Sequence, residues 1–515
     1  MLQRDVNGLS EDESMELIGG IIDMGGDESS AEALDRAWEL LDALVKTAES
    51  EIHLCRAHYY RANIWSARRH MSSEWKEWVW KSEAIDGEIL EARRAVAHPG
   101  FYALAPLAKA QIYTNLANVL NHVGRFIEAI EMWDRAIAAV PNFAMAMGNR
   151  GVGLAHYAGA LYDGGHHGVL MLSACHSLGL ACSKDAVHDS YDNGYALEQF
   201  NARLQSIWSA YDIPAIDDSF ELDGHSLGRG KAERDYRRWC LDRRLFINPL
   251  NDIGPHAIAG RDIMALPSIV TGFDEGWQPP AVIRYFNVLK QEYCAARHTL
   301  YEAQDMAGVH YSDRGVLLYN TLDYPAFGLA IERMKMAFRG SYALFDKIAF
   351  LLNAYFKLGH NERQVNFRNL WFVKGKGKEL HPALDSLANW PLRGLFWLSK
   401  DVFEDDFREV TEPDAQALYE LRNHMEHKFV NVHDWMLREI SPLQAETTKM
   451  GVFDISSDEL AGKTLRLLKI VRAAIMYLSL AVHAEERRRD EAKDSDKVTV
   501  PMPLDAWRDG WKHQS

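Results

Sequence analysis

Arg422, Asn423 and His427 lie within six residues of one another, in the stretch LYELRNHMEHKF (418–429). Histidine titrates near neutral pH and can take up or give back a proton. Arginine holds two phosphate oxygens at once and offsets charge that develops on them. Together these types suit phosphodiester cleavage without a metal: a ribose 2′-hydroxyl loses its proton and attacks the adjacent phosphorus. One imidazole cannot easily serve both proton transfers, but two copies meeting across a two-fold axis would supply two imidazoles and two guanidiniums. The same residues also describe an ordinary solvated helix face, with Arg422 or His427 paired to Glu420 or Glu426.

Spacing alone does not choose between these readings. Random placement of the arginines and 21 histidines gives about 1.5 Arg-x4-His pairs, and the chain has three: Arg93/His98, Arg422/His427 and Arg508/His513. Context separates them. Arg93/His98 runs out of a helical segment into Pro99, Arg508/His513 lies in the last residues, and neither is expected on a rigid scaffold. Around Arg422, Thr411 offers a cap, Pro413 suits a first turn and Asp414 favours the positive end of a helix. Leu418, Leu421, Met425 and Phe429 then form an apolar stripe, and Arg422, Asn423 and His427 fall on the other side, facing outward. Asp346 and Lys347 could line the same site, or Asp346 could simply pair with a neighbouring cation.

The net charge of −16 argues against nucleic acid as a partner until its distribution is considered. Residues 1–51 are strongly acidic, whereas 333–380 carry ten Lys/Arg against Asp346, Glu362 and Glu379. The glycine-spaced Lys374, Lys376 and Lys378 form a mobile basic loop suited to an RNA backbone. Other motifs are weaker. AGKT (461–464) lacks the first glycine of a phosphate loop, since position 457 is Ser, and its lysine belongs at the start of the last helix. His166 and His167 have no matching ligand spacing and read as a surface pair. No metal and no cofactor are expected. Five cysteines without a C-x-x-C pair suit a reducing compartment. The N-terminal stretch has no apolar run like that of a secretory signal, and the apolar stretch 473–482 is too short to span a bilayer. The expectation is a cytoplasmic protein with no membrane partner.

The elements that must position these residues read as helices throughout. SAEALDRAWELLDALVKTAES (30–50) places Leu34, Trp38, Leu41 and Leu44/Val45 on one stripe, with Ser29 or Ser30 as cap. Residues 110–143 resemble a tetratricopeptide repeat of 34 residues through Tyr113, Leu116, Ala117, Leu120, Ala129, Trp133, Ala136 and Pro141. Ala144 begins a further first helix, and 88–101 looks like the tail of an earlier repeat. Such an array presents a concave surface to a protein or peptide, or only braces its neighbour. YDGGHHGVL, YDNGY and YDIPAIDDSF read as loop or linker. Beyond 231, long helices are expected over 281–306, 328–358 and 458–489. The predicted organisation is all-α: a repeat domain over 1–160, a linker or irregular helical connection over 161–230, a helical bundle over 231–490 and a flexible tail over 491–515.

Arg-Asn-x-x-x-His on a helix of a small bundle resembles the signature of the HEPN ribonuclease superfamily. YRRWCLDRRLFINPLNDIG, DRGVLLYNTLDYPAFGLAIERMKMAFRGSYALFDKIAFLLNAYF and LRNHMEH are similar to one HEPN subfamily in which the bundle follows tetratricopeptide-type helices. The resemblance covers roughly 230–485. It implies a dimerising bundle or higher homo-oligomer and metal-independent endoribonuclease action leaving a cyclic phosphate. It implies catalytic roles for Arg422 and His427, with Asn423 as the polar residue after the arginine. The setting it implies is phage defence or a toxin acting on translation. Some HEPN toxins continue the motif as His-x-Tyr, with the tyrosine modified by a partner enzyme. This chain has Phe429 there, so regulation falls instead to the N-terminal repeats. The rival reading is a non-enzymatic adaptor whose bundle is structural or only binds RNA.

Overall fold

In the computed structural model, the structure describes residues 6, 8–72, 78–188, 194–270, 280–320, 325–375, 377–404, 414–433, 452–492 and 502–512, with only the backbone over 414–417. Helices dominate it. Three precede or open the repeat array: α1 (Glu11–Asp27), α2 (Ala31–Val45) and α3 (Glu51–Met71). Local chemistry starts them. Ser10 and Glu13 form a reciprocal capping box, and the Ser30 hydroxyl accepts from Ala33 N–H at 3.3 Å. Leu34, Leu41 and Leu44 are buried, while Trp38 is partly covered and takes the Arg61 and Arg68 guanidiniums over its ring.

Helix α3 pairs with α4 (Glu83–Ala97), α5 (Pro106–His122) with α6 (Phe126–Ala139), and α7 (Ala144–Ala160) with α8 (Gly164–Ala181). The α5–α6 hairpin is the segment with the 34-residue pattern. Ala117, Ala129 and Ala136 are fully buried at the helix contacts, and Leu116, Leu120 and Trp133 fill the space around them. Gly124, at φ +88°, makes the turn. The stretch 161–230, expected as a linker or irregular helical connection, carries helices in places where the sequence read as loop. Asp163 caps α8 by accepting from His166 N–H at 2.8 Å, so the glycines that read as breakers open a helix. Two more helices follow, α9 (Tyr195–Ala210) and α10 (Ile213–Ser219).

After α11 (Lys231–Asp242), the Pro249–Asp252 turn becomes a buried knot. Arg472 meets Asp252 at 2.6 Å and the Asn248 carbonyl at 2.9 Å, and Tyr157 of α7 donates to Asp252 at 3.1 Å. The bundle contains α12 (Ala281–Asp305), α13 (Leu329–Tyr355), the single turn α14 (Pro382–Asp385), α15 (Trp390–Phe403), α16 (Asp414–His427) and α17 (Ser457–Glu491). Helix α17 is its axis: from Val471 to Val482 every residue is at most 2% exposed. Its Lys463 reaches Glu459 at 3.0 Å and has no glycine-rich loop around it. One feature departs from the all-helical expectation. Strands β1 (Phe429–His433) and β2 (Val452–Ser456) pair in parallel, with Phe429 opposite Val452 and His433 opposite Ser456.

Repeats and bundle share a buried interface. Asp401 of α15 takes both Nη atoms of Arg93 at 2.5 and 2.8 Å and is also paired with Arg125. Trp390 donates to the Asn121 carbonyl at 2.9 Å, and Trp397 to the Trp80 carbonyl at 3.0 Å. The Gly124 turn presses on Gly394: a Cβ on either would stand 2.2 Å from backbone oxygen of the other helix segment. The expectation that Arg93 lacks a rigid scaffold is therefore corrected. It is 8% exposed and ties the two halves together.

Candidate functional site

Helix α16 lies on α13 and α15 through Leu418, Leu421 and Met425, all at most 4% exposed. Phe429 does not extend this stripe. The helix ends at His427, the chain turns into β1, and Phe429 stands 74% exposed. The capping roles read for Thr411 and Pro413 lie outside the described residues, as does the Asp414 side chain.

The face opposite the stripe carries the motif in two environments. Arg422 is half-buried, with its guanidinium 5.7 Å from the centre of the Tyr342 ring and Nη1 donating to Asn423 Oδ1 at 3.1 Å. His427, at the helix end, is exposed. The guanidinium is thus held by a ring and an amide, while the imidazole is open to a ligand. Arg339 of α13 donates to the Met425 carbonyl, placing a cation at the negative end of α16. It also approaches Glu426 at 3.9 Å. His424 turns away from the pair: its Nδ1 lies 2.8 Å from the Glu420 carbonyl and its ring 5.2 Å from that of Phe453 in β2.

Asp346 and Lys347 part company. Asp346 accepts from Phe367 N–H at 3.3 Å, and Lys347 reaches Glu292 of α12 at 2.5 Å. Surrounding protein desolvates the Asp346 carboxyl and pushes it above the usual carboxylate range, partly offset by that N–H and by the Arg422 charge. Arg339, Tyr342 and Asp346 are spaced i, i+3, i+7, one face of α13. The sequence reading missed Arg339 and Tyr342, although this periodicity was visible in the segment that carried the resemblance.

Among the described residues of the basic turn, Gly375 and Gly377 stand at positive φ and Val373 N–H donates to the Glu379 carbonyl at 2.9 Å. Lys374 reaches Gln364 at 3.1 Å and Lys378 reaches Glu404 at 3.1 Å; Lys376 lies outside the described residues. Glu404 follows Phe403, whose ring is 6.2 Å from that of Tyr342. The turn and the motif are therefore neighbours through α15. Of the other Arg-x4-His pairs, Arg93 is sealed in the interface, and Arg508 lies 5.1 Å from the Trp511 ring in an exposed segment, its His513 outside the described residues. His166 and His167 are half-covered, not a surface pair. His167 contacts the Ala158 carbonyl at 2.9 Å and the Tyr211 hydroxyl at 3.1 Å.

The site is a long-helix bundle with Arg422 packed on Tyr342 and His427 exposed at the end of α16, and the bundle is similar to the HEPN superfamily. More narrowly, residues 273–485 match a family model described as LA2681-like HEPN, less than half of the chain and starting well after position 230. No curated protein and no solved structure matches the chain. Among the described residues, no helix is long and apolar enough to cross a membrane.

Proposed function

We propose that the chain is a metal-independent endoribonuclease acting at a site composed from two copies of α16, and that Arg422, His427 and Asn423 carry the chemistry. The observation that carries this reading is the unequal treatment of the pair. Arg422 is held over Tyr342 and beside Asn423, while His427 is left open at the end of the same helix, on a bundle matched by the LA2681-like HEPN family. A free imidazole of one copy takes the proton of a 2′-hydroxyl, whose oxygen bonds to phosphorus. The 5′-oxygen leaves with a proton from the second copy's imidazole, giving a cyclic phosphate and a free 5′-hydroxyl. The guanidiniums hold the phosphate oxygens as their charge rises. Lys374, Lys376 and Lys378 guide the RNA backbone.

The proposed docking surface for the second copy is an exposed apolar stretch ahead of α13. Val316, Leu317, Leu318 and Tyr319 are each more than half exposed, as is Phe327. Ala326 N–H, next to Phe327, donates to the Val432 carbonyl at 2.6 Å, joining the residues just before α13 to the strand that follows His427. We assign 231–490 to the cutting part and 1–160 to regulation, with 161–230 between them. A toxin or phage-defence role, in the cytoplasm, follows from the same reading.

The test is cleavage of single-stranded RNA in EDTA by the full chain. Wild type should cut. Arg422→Ala and His427→Ala should each cut at least about 100-fold more slowly. Equal cutting by all three would place the chemistry elsewhere. Absence of cutting by wild type, with cell extract added or omitted, would leave the adaptor reading standing.

A further inference from the structure

A cavity of about 940 Å³ lies between the inner side of the helical hairpins and a wall made by Trp390, Pro391 and the α17 residues Leu480, His483 and Arg487. That volume suits a small organic ligand. Repeats and bundle both line it, and the motif on α16 does not.

Its polar lining is unusual in kind. Five asparagines border it: Asn63, Asn115, Asn118, Asn121 and Asn149. Some are engaged. Asn118 accepts from Trp133 Nε1 at 3.1 Å, and Asn115 donates to Asn63 at 3.2 Å. Two buried atoms are left without a hydrogen-bond partner, Asn121 Oδ1 and Arg203 Nε. A buried polar atom left unpaired costs free energy, so a native fold that keeps two of them beside a cavity points to a ligand that completes them.

Charge selects the class of ligand. The carboxylate in the lining is Glu88, which is spent on Arg69 at 2.7 Å with both buried. Arg203 is uncommitted at Nε, and Arg487 holds only a 3.8 Å approach to Glu491. A chain of net charge −16 thus keeps a cationic cavity. Burial, with Arg393 and other cations adding, lowers His122 to about 3, and burial also lowers His156 and His483. They act as directional donors and acceptors. Guanidinium for phosphate, paired amide groups for a base edge and aromatic edges for a ring are the requirements of one chemistry.

We propose that this cavity binds a nucleotide, its phosphate on Arg203 and its base edge on Asn121, bridging the repeats and the bundle. The site stands independently of the nuclease reading, since it needs no cutting to be detected.

Calorimetric titration and thermal melting of the full chain test it, with AMP and ATP as probes and adenosine, inorganic phosphate and an oligoglutamate peptide as comparators. AMP or ATP should bind and raise Tm, more strongly than adenosine or phosphate alone. Arg203→Met and Asn121→Ala should each weaken binding by at least about tenfold. Both atoms lack protein partners, so the ligand-free Tm should stay near wild type. Arg422→Ala should bind as wild type does. The proposal is overturned by absence of binding of either nucleotide at about 1 mM, by binding that survives both cavity substitutions, by loss of binding in Arg422→Ala, or by preference for the peptide.

Discussion

At the scale of single residues, Asp346 offers a test of the proposed site. Its carboxyl is raised by desolvation, so ionising it works against the fold: stability is greatest below its usual pKa and falls as pH rises through the raised value. A group kept at such a cost, within the field of Arg422, is a candidate positioning residue. Asp346→Asn should leave Tm at pH 7 unchanged or higher, yet slow RNA cutting by about tenfold and alter its pH profile, with Asp346→Glu restoring most of the rate. Unchanged cutting and an unchanged profile would reduce Asp346 to a receiver of the Phe367 N–H. Little of this was legible beforehand. Arg-x4-His occurs no more often than chance allows, and what disqualifies Arg93 is an aspartate 308 positions away. The discriminating fact was burial, and a long-range salt bridge leaves no local trace.

At the scale of elements, long helices were the most legible because periodicity accumulates over many turns. The expected 281–306, 328–358 and 458–489 became Ala281–Asp305, Leu329–Tyr355 and Ser457–Glu491. Short elements were hidden. FVNVH and VFDIS are five residues each and pair in parallel across an intervening segment, so no turn signature joins them. After His427 the chain turns into β1 and leaves Phe429 exposed. Replacing Leu317 and Tyr319 together by Asp should yield a monomer in sedimentation and abolish cutting, while Tm changes little because both side chains are at least 79% exposed. An unchanged sedimentation coefficient with full activity would remove this face from the proposed dimer.

At the scale of the whole molecule, repeats and bundle melt as one unit if the interface is as tight as its hydrogen bonds. Arg93→Ala leaves Asp401 buried with one cation fewer, and should cost about 3 kcal/mol in denaturant unfolding. Acid should do the same gradually. Burial opposes ionisation of Asp401, but Arg125 and Arg93 outweigh it and hold the carboxyl at about 2; Glu131, beside Lys469, Arg466 and Arg135, is likewise at about 2. Depressed carboxyls stabilise above their ordinary range, and that contribution is lost as pH falls from about 4 toward about 2. Unfolding free energy should drop across that window for wild type and less steeply for Asp401→Asn. The contact between Gly124 and Gly394 extends this coupling to inheritance. A side chain at either place would wedge the halves apart, so a front array borrowed from another protein cannot be joined to this bundle unless it brings a bare backbone to the same spot. What looks like a detachable sensor is, at that one point of touch, cut from the same cloth as the part it would govern.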